Sequence, residues 1–142
     1  MGTKTFSIVH DGAGYSRIEK VRRVSTHAIA TRSLRVCWRD KSYCLNCGTC
    51  EKCVLTQLEF LALGYSNVDC FSRPLDIQLI ENVTPGSPNR LRGYEWVLEA
   101  SKDFCDQPWR AALERRVLAL RRKQELNVLR KSLLHLFGRA ER

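Results

Sequence analysis

The sequence predicts a mostly α-helical chain with one short N-terminal β-strand and a small four-cysteine module followed by helices. Three observations lead there. From residue 51 onward apolar residues recur at intervals of three and four, the period of a helix. Alternation with β-branched residues is confined to Thr5–His10. Five of the seven cysteines, Cys37, Cys44, Cys47, Cys50 and Cys53, fall within seventeen residues. The 142 residues suit one domain, or one compact module with an extension, and a hydrophobic content of 44% is enough for a core.

The elements follow in chain order. Thr5–His10 reads as a strand that Asp11-Gly12 ends. Gly12-Ala13-Gly14 is a lone G-x-G with neither a third glycine nor a Lys-Ser/Thr behind it, so it reads as a turn and not a phosphate loop. Arg17 to Val24 is a helix with Ile18, Val21 and Val24 on one side, and Ala28 to Ser33 adds another turn. Leu34-Arg35-Val36 is extended. Glu51 to Leu63 is the clearest central helix: Val54, Leu58 and Leu61 form its apolar stripe, and Gly64 suits the left-handed residue past its end. The period does not separate helix from strand over Leu75–Ile80. Pro85, Gly86 and Pro88 make residues 82–89 a loop. Arg92 to Phe104 is a helix anchored by Trp96 and Leu98. Asp106 is the expected cap and Pro108 the first turn of a last helix reaching Phe137. That helix carries one stripe of Leu113, Val117 and Leu120 and a second of Leu126, Leu129, Leu133 and Leu136. The change of phase predicts a bend or break near residues 124–127. Trp38 and Trp96 are expected as core anchors.

The cysteines carry the chemistry. The last four follow C-x2-C-x2-C-x2-C, and Cys37 stands ten residues before Cys47. Disulfides need an oxidising compartment. Residues 1–6 show no apolar core or cleavage site of a signal peptide, and no apolar run approaches the ~20 residues of a membrane span. A cytoplasmic location and a metal site are therefore expected. Four thiolates complete a tetrahedral structural site, which leaves one cysteine spare. Cys47-Gly48-Thr49-Cys50 reads as a knuckle whose glycine permits the turn. Cys50 and Cys53 share a face of a helical first turn, where the dipole favours thiolate. Three consecutive x2 spacings are cramped, whereas Cys37 closes a longer loop. The expected ligands are Cys37, Cys47, Cys50 and Cys53, with Cys44 spare and one Zn2+ per chain. The competing reading is an iron–sulfur cluster, although the final spacing is x2 and no proline follows Cys53. Arg35, Arg39, Lys41 and Lys52 flank the box and would offset the net charge of minus two on a tetrathiolate zinc.

Leu34-Arg35-Val36-Cys37-Trp38, Asn46-Cys47-Gly48-Thr49-Cys50-Glu51-Lys52-Cys53 and Leu61-Ala62-Leu63-Gly64 together resemble the zinc box of the PP-loop ATP pyrophosphatases, in particular their QueC-like members, the nitrile-forming synthases of queuosine biosynthesis. That family places an S-C-Y or V-C-W cysteine before a C-G-x-C-x-x-C knuckle and a helix ending in glycine. The resemblance implies the same four ligands and covers about residues 7–65. The family's S-G-G-x-D-S nucleotide loop does not occur in this sequence. The chain thus resembles the C-terminal portion of such an enzyme without its catalytic half. Residues 1–72 are expected as the zinc-binding module and 73–142 as a helical extension.

Formal net charge is +9, with +5 over residues 1–36, −3 over 37–107 and +7 over 108–142. The resemblance implies a structural zinc module acting with a PP-loop catalytic protein, or as a homo-oligomer. The cationic ends point to the alternative, a basic zinc protein that binds nucleic acid weakly and without sequence preference. His10, Asp11, His27, His135 and Cys70 have no partner at a recognisable catalytic spacing, and no activity of the chain on its own is expected.

Overall fold

The computed structural model of the protein describes residues 6, 7, 9, 11–39 and 45–137, the last five as backbone only. Among the described residues six α-helices follow in order: α1 (Arg17–Ser25), α2 (Ala28–Arg32), α3 (Glu51–Ala62), α4 (Ile77–Asn82), α5 (Pro88–Ala100) and α6 (Pro108–Phe137). A 3-10 turn over Lys102–Phe104 separates α5 from α6. Extended pairing among the described residues is limited to isolated bridges, one of which joins Asn46 to Phe71 in parallel. Of the strand expected over residues 5–10, residues 5, 8 and 10 lie outside the described residues, and residues 6, 7 and 9 belong to no named strand.

Local chemistry sets the helix ends. Ser16 and Glu19 form a capping box at the start of α1: the Glu19 carboxylate accepts from the Ser16 amide at 2.6 Å while the Ser16 hydroxyl accepts from the Glu19 amide. Helix α3 ends in a Schellman motif. The Tyr65 amide donates to the Phe60 carbonyl and the Gly64 amide to the Leu61 carbonyl, both at 3.0 Å. Gly64 holds φ at 87°, where a side chain would be strained. The rings of Phe60 and Tyr65 meet edge-to-face at 6.2 Å across the motif. Asp76 caps α4 by accepting from the Gln78 amide, which resolves the expected ambiguity over Leu75–Ile80 in favour of helix.

One apolar core gathers Val54, Leu58 and Ala62 of α3, Ile80 of α4, Leu91, Tyr94 and Val97 of α5, and Ala112, Leu113 and Val117 of α6. Helices on both sides of residue 72 therefore line a shared core. Helix α6 packs chiefly on α4 and α5, and α3 lies against α1 and α5.

The structure corrects several expectations. Helix α5 begins at Pro88, not Arg92, because proline suits the first helical position, where no amide donor is needed. Leu91, Tyr94 and Val97 are its buried anchors and the expected Leu98 packs partly buried against the same core, whereas Trp96 remains 42% exposed. Trp38 is 87% exposed and is not a core residue. Gln107, not Asp106, directly precedes α6. Helix α6 runs unbroken through residues 124–127, where neither glycine nor proline interrupts it. The phase change instead marks where the helix leaves the body. Leu113 and Val117 are buried, whereas Leu126 and Leu129 are about 60–65% exposed.

Candidate metal centre

Four cysteines reach one point from three pieces of chain. Cys37 arrives on the extended segment after α2, Cys47 on the loop before α3, Cys50 at the N-cap of α3 and Cys53 on its first turn. Their sulfur atoms all lie within 4.8 Å of one another. Individual separations are 3.4 Å for Cys50–Cys53, 3.8 Å for Cys47–Cys53 and 3.8 Å for Cys37–Cys50. Four sulfurs around a single ion at ~2.3 Å would stand about 3.8 Å apart in a regular tetrahedron, so this donor set fits one metal ion. No disulfide joins the described cysteines.

The surrounding backbone is arranged for thiolates. The Cys50 amide donates to the Cys47 sulfur at 3.4 Å, and the Arg39 amide to the Cys37 sulfur at 3.3 Å. The Thr49 hydroxyl approaches the Cys47 sulfur at 3.6 Å. Burial works against the Cys47 thiolate, but donors from Thr49 and Cys50 outweigh it and hold the thiol below its ordinary range. Burial pushes Cys50 up, and Cys53 further still, since its sulfur is fully enclosed beside Cys50. Charging all four sulfurs in so small a space requires a cation among them.

Gly48 makes the knuckle possible. Its φ is 75°, and a Cβ there would stand 2.6 Å from the carbonyl oxygen of Arg73. Gln57, one turn past Cys53 on α3, donates from Nε2 to the Gly48 carbonyl at 2.9 Å and holds the knuckle against the helix.

Asn46, fully buried, ties the remaining pieces together. Its Oδ1 accepts from the Val36 amide at 2.8 Å and the Cys37 amide at 3.0 Å. Its Nδ2 donates to the carbonyls of Leu34 and Cys70, both at 2.8 Å. Its backbone amide donates to Cys70 and its carbonyl accepts from Ser72, each at 2.8 Å. Sequence reasoning missed Asn46 and Gln57. Their only signals are a polar residue directly before Cys47 and another on the apolar side of α3, and neither residue type is diagnostic there.

The four expected ligands are thus the four that converge, while Cys44 lies outside the described residues. Cys70 is buried beside Asn46 and does not belong to the sulfur group. Asp11 and His27 are exposed, and His10 and the His135 side chain lie outside the described residues. No helix among the described residues is long and apolar enough to cross a membrane. No protein-family model, curated protein or solved structure matches this chain.

Proposed function

We propose that this chain is a zinc-stabilised helical module whose single Zn2+, held by Cys37, Cys47, Cys50 and Cys53, is structural, and that it acts alongside a PP-loop catalytic protein. The observation that carries the metal reading is the mutual approach of four thiols within 4.8 Å. Those spacings suit one ion rather than a cubane, whose cysteines ligate different irons and stand further apart. Four thiolates leave no open position for water or substrate, which favours a structural over a catalytic role. The partner reading rests on the resemblance of the cysteine box to QueC-like proteins together with the lack of a nucleotide loop in this sequence. Metal analysis of anaerobically purified protein is the test. One zinc per chain is expected, lost in Cys50→Ser and retained in Cys44→Ser. A brown protein with stoichiometric iron and broad visible absorption would overturn the metal assignment. Pulldown with a protein bearing the S-G-G-x-D-S loop, followed by pyrophosphate release from ATP, tests the partnership. Turnover by this chain alone would refute it.

A further inference from the structure

The outer face of the metal module carries two adjoining hollows that share Glu51, Lys52 and Arg90. The first encloses about 400 Å³ and adds Arg17, Arg35 and Trp96 to its walls. The second, about 230 Å³, adds Trp38 and Arg39 beside Cys50. Together they form one groove lined by an indole in each hollow and by five cationic side chains.

Two features of this groove stand out physically. The first is Trp38: at 87% exposure it leaves a large apolar ring in water, with the Lys52 ammonium 3.9 Å from the ring centroid. A tryptophan kept outside the core beside a cation is a stacking surface already poised for a planar, electron-rich partner. The second is charge. Glu51 pairs with Arg90, and Glu59 with Arg17. Among the described residues no carboxylate forms an ion pair with Arg35, Arg39 or Lys52. A tetrathiolate zinc beneath the groove would absorb part of that positive charge, so attraction to phosphate alone would be modest and ring stacking would carry much of the affinity.

From this juxtaposition we infer that the groove binds single-stranded nucleic acid, with bases stacking on Trp38 and Trp96 and phosphates meeting Arg35, Arg39 and Lys52. Alternating aromatic and cationic side chains are how sequence-tolerant single-strand sites work: any base offers a π-face, and the backbone supplies a regular line of anions. Paired strands hide their bases, so a duplex offers only phosphates to the same surface. This inference goes beyond the structural-zinc reading and does not depend on the PP-loop partner.

The experiment uses the full chain, with zinc content checked for every variant. Fluorescence anisotropy compares labelled twelve-nucleotide oligo-U and oligo-dT with a duplex of equal length across a salt series, and intrinsic tryptophan emission is followed in parallel. Both single strands are expected to quench tryptophan and to bind more tightly than the duplex. Trp38→Ala is expected to weaken single-strand binding about tenfold, in line with the loss of one base stack. Trp38→Phe is expected to restore most of it, which separates stacking from folding. Three results would overturn the inference: duplex binding as tight as single strand, unchanged affinity in Trp38→Ala, or equal competition by a poly-glutamate peptide. Loss of binding in Arg122→Gln/Lys123→Gln with Trp38→Ala unaffected would place the nucleic acid on α6 and reject the groove.

Discussion

Asn46 shows how much of the candidate metal centre depends on a residue outside the four converging cysteines. Its side chain answers two amides and two carbonyls nine and more residues away, the bonds to Cys37 and Cys70 buried and those to Val36 and Leu34 partly so. Truncation leaves the Val36 and Cys37 amides and the Leu34 carbonyl without this partner, at a cost of about 3 kcal/mol for the set, while the Cys70 carbonyl keeps the Asn46 backbone amide. Asn46→Ala is therefore expected to lower zinc affinity roughly 10–100-fold, the range for groups that orient ligands. Competition with a chromophoric chelator measures it, and an affinity equal to wild type would show that the loops hold Cys37 without Asn46. Glu59 of α3 supplies a second residue-scale effect. It is 2% exposed and paired with Arg17 at 2.8 Å. Burial pushes its carboxyl up to about 7 against the pull of Arg17. A carboxyl raised on folding contributes stability that is full below its unfolded value of 4.5 and is lost as pH rises through about 7. Glu59→Gln removes that dependence. The Tm of the variant relative to wild type is expected to climb between pH 5.5 and 8, with zinc present in both. A pH-independent difference would mean that Arg17 fully offsets the burial.

At the scale of elements, legibility followed local signals. The spacing Cys47–Cys50–Cys53 and the stripe Val54, Leu58, Leu61 placed α3 within a residue or two, because both cues lie inside one helix. The stripe in the first half of α6 was equally readable. Trp38 and Trp96 were not, since nothing in a single chain separates a tryptophan that fills a core from one that borders a groove. Arginines on α6 also do more than face solvent. Arg116 donates to the Val83 carbonyl at 2.8 Å and Arg110 to the Ser101 carbonyl at 3.0 Å, fastening the helix to the loops beside α4 and α5. Exposed ion pairs Arg115–Glu81 and Arg121–Glu95 add little beyond orientation. The two halves of α6 consequently differ in energetic weight. Leu113→Ala empties a fully buried site and is expected to cost about 2–5 kcal/mol. Leu129→Ala, on the exposed stretch, is expected to change stability by less than about 0.5 kcal/mol. Urea titrations of dilute protein compare them. A large loss from Leu129→Ala would reveal that this stretch is covered by a second chain.

Among the described residues two buried clusters divide the work of folding. The helical core draws on α3, α4, α5 and α6 and has apolar area of its own. The second cluster is little more than Cys37, Cys50 and Cys53, with Val36, Cys47 and Phe71 against it. So small a cluster does little to offset the entropy of ordering the loops around it, and under the proposed function metal binding would supply the difference. The spacing of the cysteines made the second cluster readable beforehand. The way the loops are tied to residues 70–73 was not readable, because Asn46 and Cys70 meet only through tertiary contact. Helix α3 belongs to both clusters, with Cys53 on one and Val54 and Leu58 on the other, so its first turn is where loss of metal should be felt inside the body. Chelation at pH 7 is expected to release residues 34–39 and 45–50 and fray the start of α3, while α4, α5 and the packed half of α6 stay helical. Hydrogen exchange resolves this directly. Protection should fall across 34–39 and 45–53, persist over 88–100 and 108–120, and return on adding one equivalent of zinc. Loss of protection across all six helices would make the metal the support of the entire fold. Unchanged protection at 34–39 and 45–53 would mean that hydrogen bonds through Asn46 and Gln57 suffice to hold the four thiols in place.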